Sequence, residues 1–226
     1  MREPNAQLNV AVPGSFSVRI AACVRRRMFD VFLQTFTPEE TDTALDIGAT
    51  SDQSYESSNY FEALYPFKDR LTACGLDDAS FLEWQYPGLR FVSADVIALP
   101  FADASFDLVH SSAVIEHVGS RTRQRQMLAE VLRVARRGVY LTTPNRWFPV
   151  EFHTQLPLLH WLPAALYRPL FRLLGYGFFA QESNLNLLSP RTLSRLAIGF
   201  PGWRFEIRKQ RLLGLTSNVL LIARRD

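Results

Sequence analysis

The chain has 226 residues, 47% of them hydrophobic, so it can bury the core of one large α/β domain but is short for two. The composition excludes a disordered protein, and the two cysteines, Cys23 and Cys74, form no redox or metal-binding motif. The formal net charge of +3 excludes neither an anionic nor a neutral ligand.

Strand and helix patterns alternate along the first two thirds of the chain. Apolar residues at helical spacing predict a leading helix over Val18–Phe36. The predicted strands are Thr43–Ala49, Arg70–Leu76, Leu89–Ala94, Phe106–Ala113 and Arg137–Thr143, and the helices between them are Asn59–Tyr65, Asp78–Tyr86 and Thr122–Arg136. This alternation favours a parallel sheet covered by helices on both faces.

The pattern changes after Pro144. The segment Pro144–Ala180 is interrupted by prolines and contains 9 of the 28 aromatic residues, so we expect short helices joined by bends. Ser189-Pro190 then begins a short helix that reaches Ala197. The last two strand-like runs, Arg204–Leu213 and Ser217–Ala223, have no helix between them and predict an antiparallel hairpin at the sheet edge.

Acidic residues follow three predicted strands. Asp46 lies in the first strand before Gly48, Asp77 follows the second strand, and Asp95 follows the third. Ligands of open α/β sheets bind beyond the carboxyl ends of the strands. Asp77 could accept hydrogen bonds from both hydroxyls of a ribose and Asp95 from an adenine amino group. Alternatively, acids at these places cap helices, and we expect Asp78 to cap the next one.

The run "LRFVSADVIALPFADASFDLVHSSAVIEHV" (Leu89–Val118) resembles the class I S-adenosylmethionine-dependent methyltransferases that act on small molecules. With "ALDIG", "CGLDDAS" and "RGVYLTTPNRW", the resemblance extends over Ala44–Trp147. It implies a Rossmann-like, seven-stranded, mostly parallel sheet with an antiparallel final hairpin and helices on both faces. We expect one methyltransferase domain over residues 1–226, in which the aromatic segment, residues 144–189, forms a helical and aromatic cap over the substrate.

The resemblance also implies a cofactor, S-adenosylmethionine, and the residues that bind it. Asp46 and Gly48 match the loop under its methionine part, Asp77 the acid that binds the ribose, and Asp95 with Val96 the adenine contact. Ser111 and Ser112 match the positions where the fourth strand meets the sulfonium, and Glu116-His117 match the Glu-His pair of the family.

The first loop departs from the family pattern. Thr50 and Asp52 stand where the family has glycines. The segment Ser51–Asn59 could close over the cofactor, with Ser51, Ser54, Tyr55 and Ser57 as hydrogen-bonding side chains, or it could be an ordinary polar surface loop.

Acceptor-binding residues are expected after the fifth strand, where such families place substrate contacts, and the candidate catalytic residues lie there or after the fourth strand. His153, Glu151 and His117 are the candidate catalytic residues, with His153 as a general base. His153 and His160 could equally be structural. The candidate substrate-binding residues are Arg146, Trp147, Phe152, His160 and Trp161. We expect no metal.

The sequence is compatible with several classes of methyl acceptor. Residues 1–118 contain 8 basic and 17 acidic side chains, whereas residues 119–226 contain 17 and 5. With the aromatic cap, this basic half favours a small apolar or lipid-linked acceptor and a peripheral membrane contact. An RNA methyltransferase and a catalytically silent methyltransferase-like interaction module are the alternatives. The Pro-Pro-aromatic signature of nucleic-acid amine methylation is absent, so nucleic acid is not the favoured partner. Met1–Phe16 has no apolar segment typical of a secretory signal, so we expect a cytoplasmic location.

Overall fold

The computed structural model describes residues 8–55 and 57–226 and contains one seven-stranded sheet with helices on both faces. The strands are β1 Ala44–Ile47, β2 Leu71–Gly75, β3 Arg90–Ser93, β4 Phe106–Ser112, β5 Ala135–Pro144, β6 Trp203–Leu212 and β7 Leu215–Arg225. The α-helices are α1 Phe16–Phe36, α2 Tyr60–Leu64, α3 Phe81–Gln85, α4 Arg121–Val134, α5 Ala164–Leu173 and α6 Pro190–Leu196. Three 3₁₀-helices cover Lys68–Arg70, Ile115–His117 and Leu159–Trp161.

The strand order is β3-β2-β1-β4-β5-β7-β6. The first five strands pair in parallel, while β7 runs antiparallel to both β5 and β6. The predicted fold class is therefore confirmed, including the reversed final hairpin. The order of the strands reverses between β1 and β4, and the carboxyl ends of these two strands flank the crevice where α/β sheets bind ligands.

Alternate residues of the strands pack into two separate hydrophobic layers, one on each face of the sheet. On one face, α1, α2 and α3 pack on the sheet, and Phe32 of α1 is fully buried. On the other face, α4 and α6 cover the sheet, with Met127, Leu128 and Val131 of α4 at 0% exposure. Strands that are buried on both faces have no polar side, which explains their continuous apolar sequences.

Part of the charge asymmetry of the sequence is used within the fold. Arginines of α4 and β5 form ion pairs with acids of the first half: Arg133 with Asp103, Arg136 with Asp107 and Arg137 with Asp42. Arginines of α4 also donate to main-chain oxygens, as Arg125 does to Leu196 and Ile198. These four arginines therefore hold helices and turns together and do not form one ligand-binding face.

The segment after β5 forms a small hydrophobic cluster of its own. Tyr167 and Phe171 of α5 pack with Phe179 and Leu187. Pro169 lies inside α5, so this helix tolerates a proline that sequence reasoning treated as a helix breaker. No helix in the described part of the chain has both the length and the apolar character needed to cross a bilayer.

Candidate active site

A cavity of about 1050 Å³ opens at the carboxyl ends of β1–β5. Its base is formed by residues at the strand ends, and its walls come from α1, the 50–59 loop, the segment after β5 and the β6–β7 turn. Ligand sites usually measure about 300–1,000 Å³, so this volume is sufficient for a cofactor together with an acceptor.

Two glycines allow β1, β2 and the following loop to approach one another. A Cβ on Gly75 would lie 2.1 Å from the main-chain oxygen of Ala49. Gly48 has a φ of +111°, and a Cβ there would lie 2.3 Å from Cγ2 of Val114. The amides of Gly48 and Ala49 both donate to the Cys74 oxygen, which holds the loop against the end of β2. Larger residues at these two positions would push the loop into the cavity.

Asp77 and Asp95, the predicted ribose and adenine contacts, both lie at the edge of the cavity. Asp77 follows β2, Asp95 follows β3, and both line the cavity with Val96 beside them. Asp78 does not cap α3 as predicted, because the N-cap residue is Ser80; instead, the Asp78 carboxylate accepts from the Ser80 amide at 2.9 Å. Asp78 is absent from the cavity wall, so it is a natural control for Asp77.

The two serines at the end of β4 have different environments. Ser112 lines the cavity, and its Oγ lies 2.9 Å from Oγ1 of Thr142. Ser111 points away because successive strand residues alternate, and it is 1% exposed and does not line the cavity. Direct cofactor contact, which was predicted for both serines, is therefore compatible with Ser112 only.

The residues that replace the family glycines organise the first loop. The side chain of Asn59 bonds both the amide and the oxygen of Thr50, each at 2.9 Å. The Asp52 carboxylate is buried and accepts from the amide and hydroxyl of Ser54 and from the Ser58 hydroxyl. The loop is thus held by its own polar side chains where the family has flexible glycine. Tyr55 and Ser57 line the cavity, while Ser51 and Ser54 do not.

Beneath the loop lies a buried polar cluster that includes Asp46. Asp46 is hydrogen bonded to Nδ1 of His110, whose Nε2 lies 3.1 Å from the Tyr60 hydroxyl. Burial lowers the pKa of His110 to about 3, so the ring is neutral. Burial raises the pKa of Asp46 to about 7. Burial and the adjacent Asp46 carboxyl also raise the pKa of Glu62. Among the described residues, neither carboxyl oxygen of Glu62 has a hydrogen-bond partner of normal geometry.

This cluster predicts an unusual dependence of stability on pH. A carboxyl with a raised folded-state pKa costs stability once the unfolded chain has ionised. The free energy of unfolding should therefore fall as the pH rises from the ordinary Asp value of 3.8 towards about 7. Glu62→Gln should flatten this fall and make the protein about 1–4 kcal/mol more stable at pH 8. Urea unfolding between pH 5 and pH 8 measures both effects. Glu40→Gln, at an exposed glutamate, is the control, and an equal response of the two variants would contradict the assignment.

A second buried polar cluster joins the 3₁₀-helix after β4 to the segment after β5. Nε2 of His117 lies 3.0 Å from Nε2 of His153. Nδ1 of His117 donates to the main-chain oxygen of Asn184 at 2.7 Å, and Nδ1 of His153 donates to the Glu151 carboxylate at 2.6 Å. Since both Nδ1 atoms carry hydrogen, each neutral ring has a lone pair on Nε2. Two lone pairs repel at this distance, so one positively charged species must lie between the rings.

The predicted catalytic roles of Glu151 and His153 do not agree with this arrangement. Glu151 does not line the cavity and accepts four hydrogen bonds, from the amide and ring of His153 and the amide and hydroxyl of Thr154. Burial alone would raise its pKa, but His153 and these bonds lower the pKa to about 2. His153 does line the cavity, yet its Nδ1 bonds Glu151 and the lone pair on its Nε2 is taken up by the contact with His117, so it is not available to remove a proton from an acceptor.

The predicted substrate-binding residues are divided between the cavity and the outer surface. Phe152 lines the cavity and stacks on Phe148, with ring centroids 5.1 Å apart. Trp147 and Trp161 contact each other at the exposed outer surface, and Arg146 lies over the Trp147 ring. His160 is buried and bonds the Phe148 oxygen at 2.9 Å, which is a structural role. Direct acceptor contact is thus compatible with Phe152 alone.

Sequence reasoning missed much of the cavity wall. The additional lining residues include polar side chains, such as Arg25, Arg123 and Glu182, and an apolar group from α1, the segment after β5 and the β6–β7 turn, namely Val18, Ala21, Val24, Met28, Phe148, Val150, Leu212 and Leu213. The proximity of Phe148 to Phe152 was the one signal in the sequence, because both lie in the aromatic segment. The remaining contacts depend on how distant elements assemble.

Comparison with known proteins agrees with the fold. Residues 52–143 match a family model described as "Methyltransferase domain". A 51-residue stretch, 23% of this chain, is 47% identical to "Putative methyltransferase ECU09_1500" of Encephalitozoon cuniculi. The match spans about a quarter of that protein's length.

Solved structures with the same fold include two methyltransferases bound to S-adenosylhomocysteine. Magnesium protoporphyrin IX methyltransferase from Synechocystis PCC 6803 is 12% identical, with a TM-score of 0.57 over 96% of this chain and 90% of its own. The N-methyltransferase NodS from Bradyrhizobium japonicum WM9 is 12% identical, with a TM-score of 0.56 over 89% of this chain and 86% of its own. At these identities the likeness shows a shared fold.

Proposed function

We propose that this chain, a member of the class I S-adenosylmethionine-dependent methyltransferases, methylates a small apolar or lipid-linked acceptor. The observation that supports this acceptor class is the cavity wall. Opposite the strand ends, α1 contributes Val18, Val24 and Met28, and the other walls add Phe148 and Leu213. A wall of this kind favours an apolar molecule, because apolar groups bind where they displace water from apolar surface.

The residues at the strand ends fit the cofactor. Asp77 and Asp95 present carboxylates into the cavity without ion pairs between them and the rest of the described chain, as acceptors for ribose and adenine would. The close approach at Gly48 leaves main-chain groups next to the cavity where a side chain would otherwise lie. S-adenosylmethionine supplies an activated methyl group, so the chain itself has to align the acceptor and exclude water.

The outer surface of the segment after β5 supports presentation of the acceptor from a membrane. Leu166 is 56% exposed and Leu173 82% exposed, and the two residues are seven apart on one face of α5. Trp147 and Trp161, which lie between β5 and α5 in the chain, are also exposed. Arg172, next to Leu173 on α5, adds an exposed positive charge. Exposed apolar side chains with basic neighbours are typical of helices that lie at a lipid surface.

The acceptor class is tested by following the label from methyl-labelled S-adenosylmethionine. The purified protein is incubated separately with a total lipid extract, an aqueous small-molecule extract and total RNA. We expect the label to move into material that organic solvent extracts. Label in RNA instead would contradict the proposal, and the pairing of three arginines with acids of the same chain argues against that result.

The double variant Leu166→Ser and Leu173→Ser should weaken binding to vesicles with anionic lipids. Burial of one leucine side chain contributes about 1.5–3 kcal/mol, so the loss should be tenfold or more. Vesicle co-sedimentation measures this, with cofactor affinity as the check on folding. Trp84→Ser is the control, because Trp84 is 72% exposed on α3, which contacts the edge strand β3 and is not part of the segment after β5. An equal loss in the control would show that binding is nonspecific.

A further inference from the structure

The contact between His117 and His153 needs a cation between its two Nε2 atoms. The Asn184 oxygen can only accept, so it fixes hydrogen on Nδ1 of His117, and the Glu151 carboxylate fixes hydrogen on Nδ1 of His153. Each Nε2 then carries a lone pair, and the two Nε2 atoms lie 3.0 Å apart. Either a proton or a metal ion can satisfy this geometry.

The surroundings of the two rings match those of metal ligands. Histidines that bind metal nearly always donate their other ring N–H to a carboxylate or a main-chain oxygen, which fixes the tautomer. Here His153 uses Glu151 and His117 uses the Asn184 oxygen. Glu151 is itself held by three further donors, so the orientation of the His153 ring is fixed.

A third donor faces the same point. Glu116 is fully buried, and its Oε2 accepts from the Thr143 hydroxyl at 2.8 Å. Its Oε1 has no hydrogen-bond partner among the described residues and lies 3.9 Å from Nε2 of His153. The ligand atoms of Glu116, His117 and His153 all lie within 4.8 Å of one another. An unsatisfied buried carboxylate oxygen next to two imidazole lone pairs points to a missing cation.

We propose that Glu116, His117 and His153 bind one divalent first-row transition-metal ion. With metal–nitrogen bonds of about 2.05 Å, two Nε2 atoms 3.0 Å apart subtend about 95° at the ion. This angle is close to that of neighbouring positions in an octahedron, as in sites with two histidines and one carboxylate. Glu116 would have to approach by about 1 Å to complete this set. Sequence reasoning expected no metal; the two histidines of this set are 36 residues apart in the chain and form no local metal-binding motif.

The ion would lie in the wall of the proposed active site. His117 and His153 line the cavity next to Phe152, whereas Glu116 lies behind them. The coordination positions that the protein leaves open would be taken by water or by an oxygen atom of the acceptor. This last step rests on the proposed function, but the metal site itself does not.

Metal content tests the site directly. The full-length protein is purified without chelator or metal-affinity resin, and bound metals are measured by mass spectrometry. The chelator-treated protein is then titrated with Zn²⁺ and Co²⁺, and the Co²⁺ form is examined for visible absorption bands. We expect one ion per chain, a Co²⁺ spectrum typical of five or six ligands, and a higher unfolding temperature with the ion.

Variants separate metal binding from folding. His117→Gln and Glu116→Gln should lose stoichiometric metal or bind it at least tenfold more weakly, while His160→Gln, at a histidine outside the cluster, should retain it. S-adenosylhomocysteine affinity, measured by calorimetry, reports separately on the proposed function. A folded wild-type protein that binds the cofactor product but neither carries nor takes up an ion would overturn the proposal and leave a shared proton between the rings.

Discussion

Asp77→Ala should weaken binding of S-adenosylhomocysteine by 10²-fold or more. Asp77 lines the cavity directly after β2, where a carboxylate can accept from both ribose hydroxyls. Each hydrogen bond to a charged group is worth about 1.5–3 kcal/mol, so the loss of two corresponds to about 10²–10⁴ in affinity. Because Asp77 is exposed, its removal should leave the free energy of unfolding nearly unchanged. Calorimetric titration together with urea unfolding measures both quantities.

Asp78→Ala is the matched control for this experiment. Asp78 is the next residue and has the same charge, but it does not line the cavity and its carboxylate bonds the Ser80 amide. We expect it to lose at most about 1 kcal/mol of stability and to bind the product normally. If Asp78→Ala were the variant that failed to bind, the ribose would lie on the other side of the turn after β2.

The architecture could be predicted because its signals are local. Each parallel strand is a short apolar run, and the residue that follows it, such as Asp77 or Asp95, lies at the ligand-binding edge whichever partner the strand has. The final hairpin was also readable, since two strand patterns without an intervening helix can only pair antiparallel or lie in separate sheets. The alternation of inward and outward residues, however, separates Ser112 from Ser111, and the exact strand register was needed to see it.

The remaining parts of the site depend on contacts between distant segments. The acceptor wall combines Val24 of α1 with Leu213 of the final hairpin, and no local pattern links them. The pairing of His117 with His153 likewise depends on where the segment after β5 returns to the 3₁₀-helix after β4. Sequence reasoning selected both histidines as candidate catalytic residues but did not pair them, because the hydrogen bonds that fix their tautomers come from Asn184 and Glu151.

The role of the polar residues in the first loop could not be predicted from the sequence either. Asp52 looked like a disruption of a glycine pattern, but its carboxylate is buried and accepts three hydrogen bonds within the loop. The loop therefore has a fixed shape that its own sequence encodes. At Gly48 an added side chain would not fit. A substitution there therefore tests whether the shape of this turn matters for cofactor binding.

Gly48→Ala should abolish most cofactor binding and destabilise the protein. The backbone at Gly48 has a φ of +111°, which an alanine adopts at a cost of about 1–3 kcal/mol. The added Cβ would also lie 2.3 Å from Cγ2 of Val114, and overpacking of this kind costs about 1–3 kcal/mol more. The chain can relieve both effects only by moving the turn, and the amides of Gly48 and Ala49 would then leave the Cys74 oxygen.

A double variant separates the two costs. Gly48→Ala with Val114→Ala removes the clash but keeps the backbone strain, so it should recover about 1–3 kcal/mol of the lost stability. Val114→Ala alone corrects for the lost valine, since Val114 also lines the cavity. Urea unfolding and S-adenosylhomocysteine titration of the four proteins form one thermodynamic cycle. A coupling energy near zero would mean that the turn does not press on Val114, and normal product binding by Gly48→Ala would place the cofactor away from this turn.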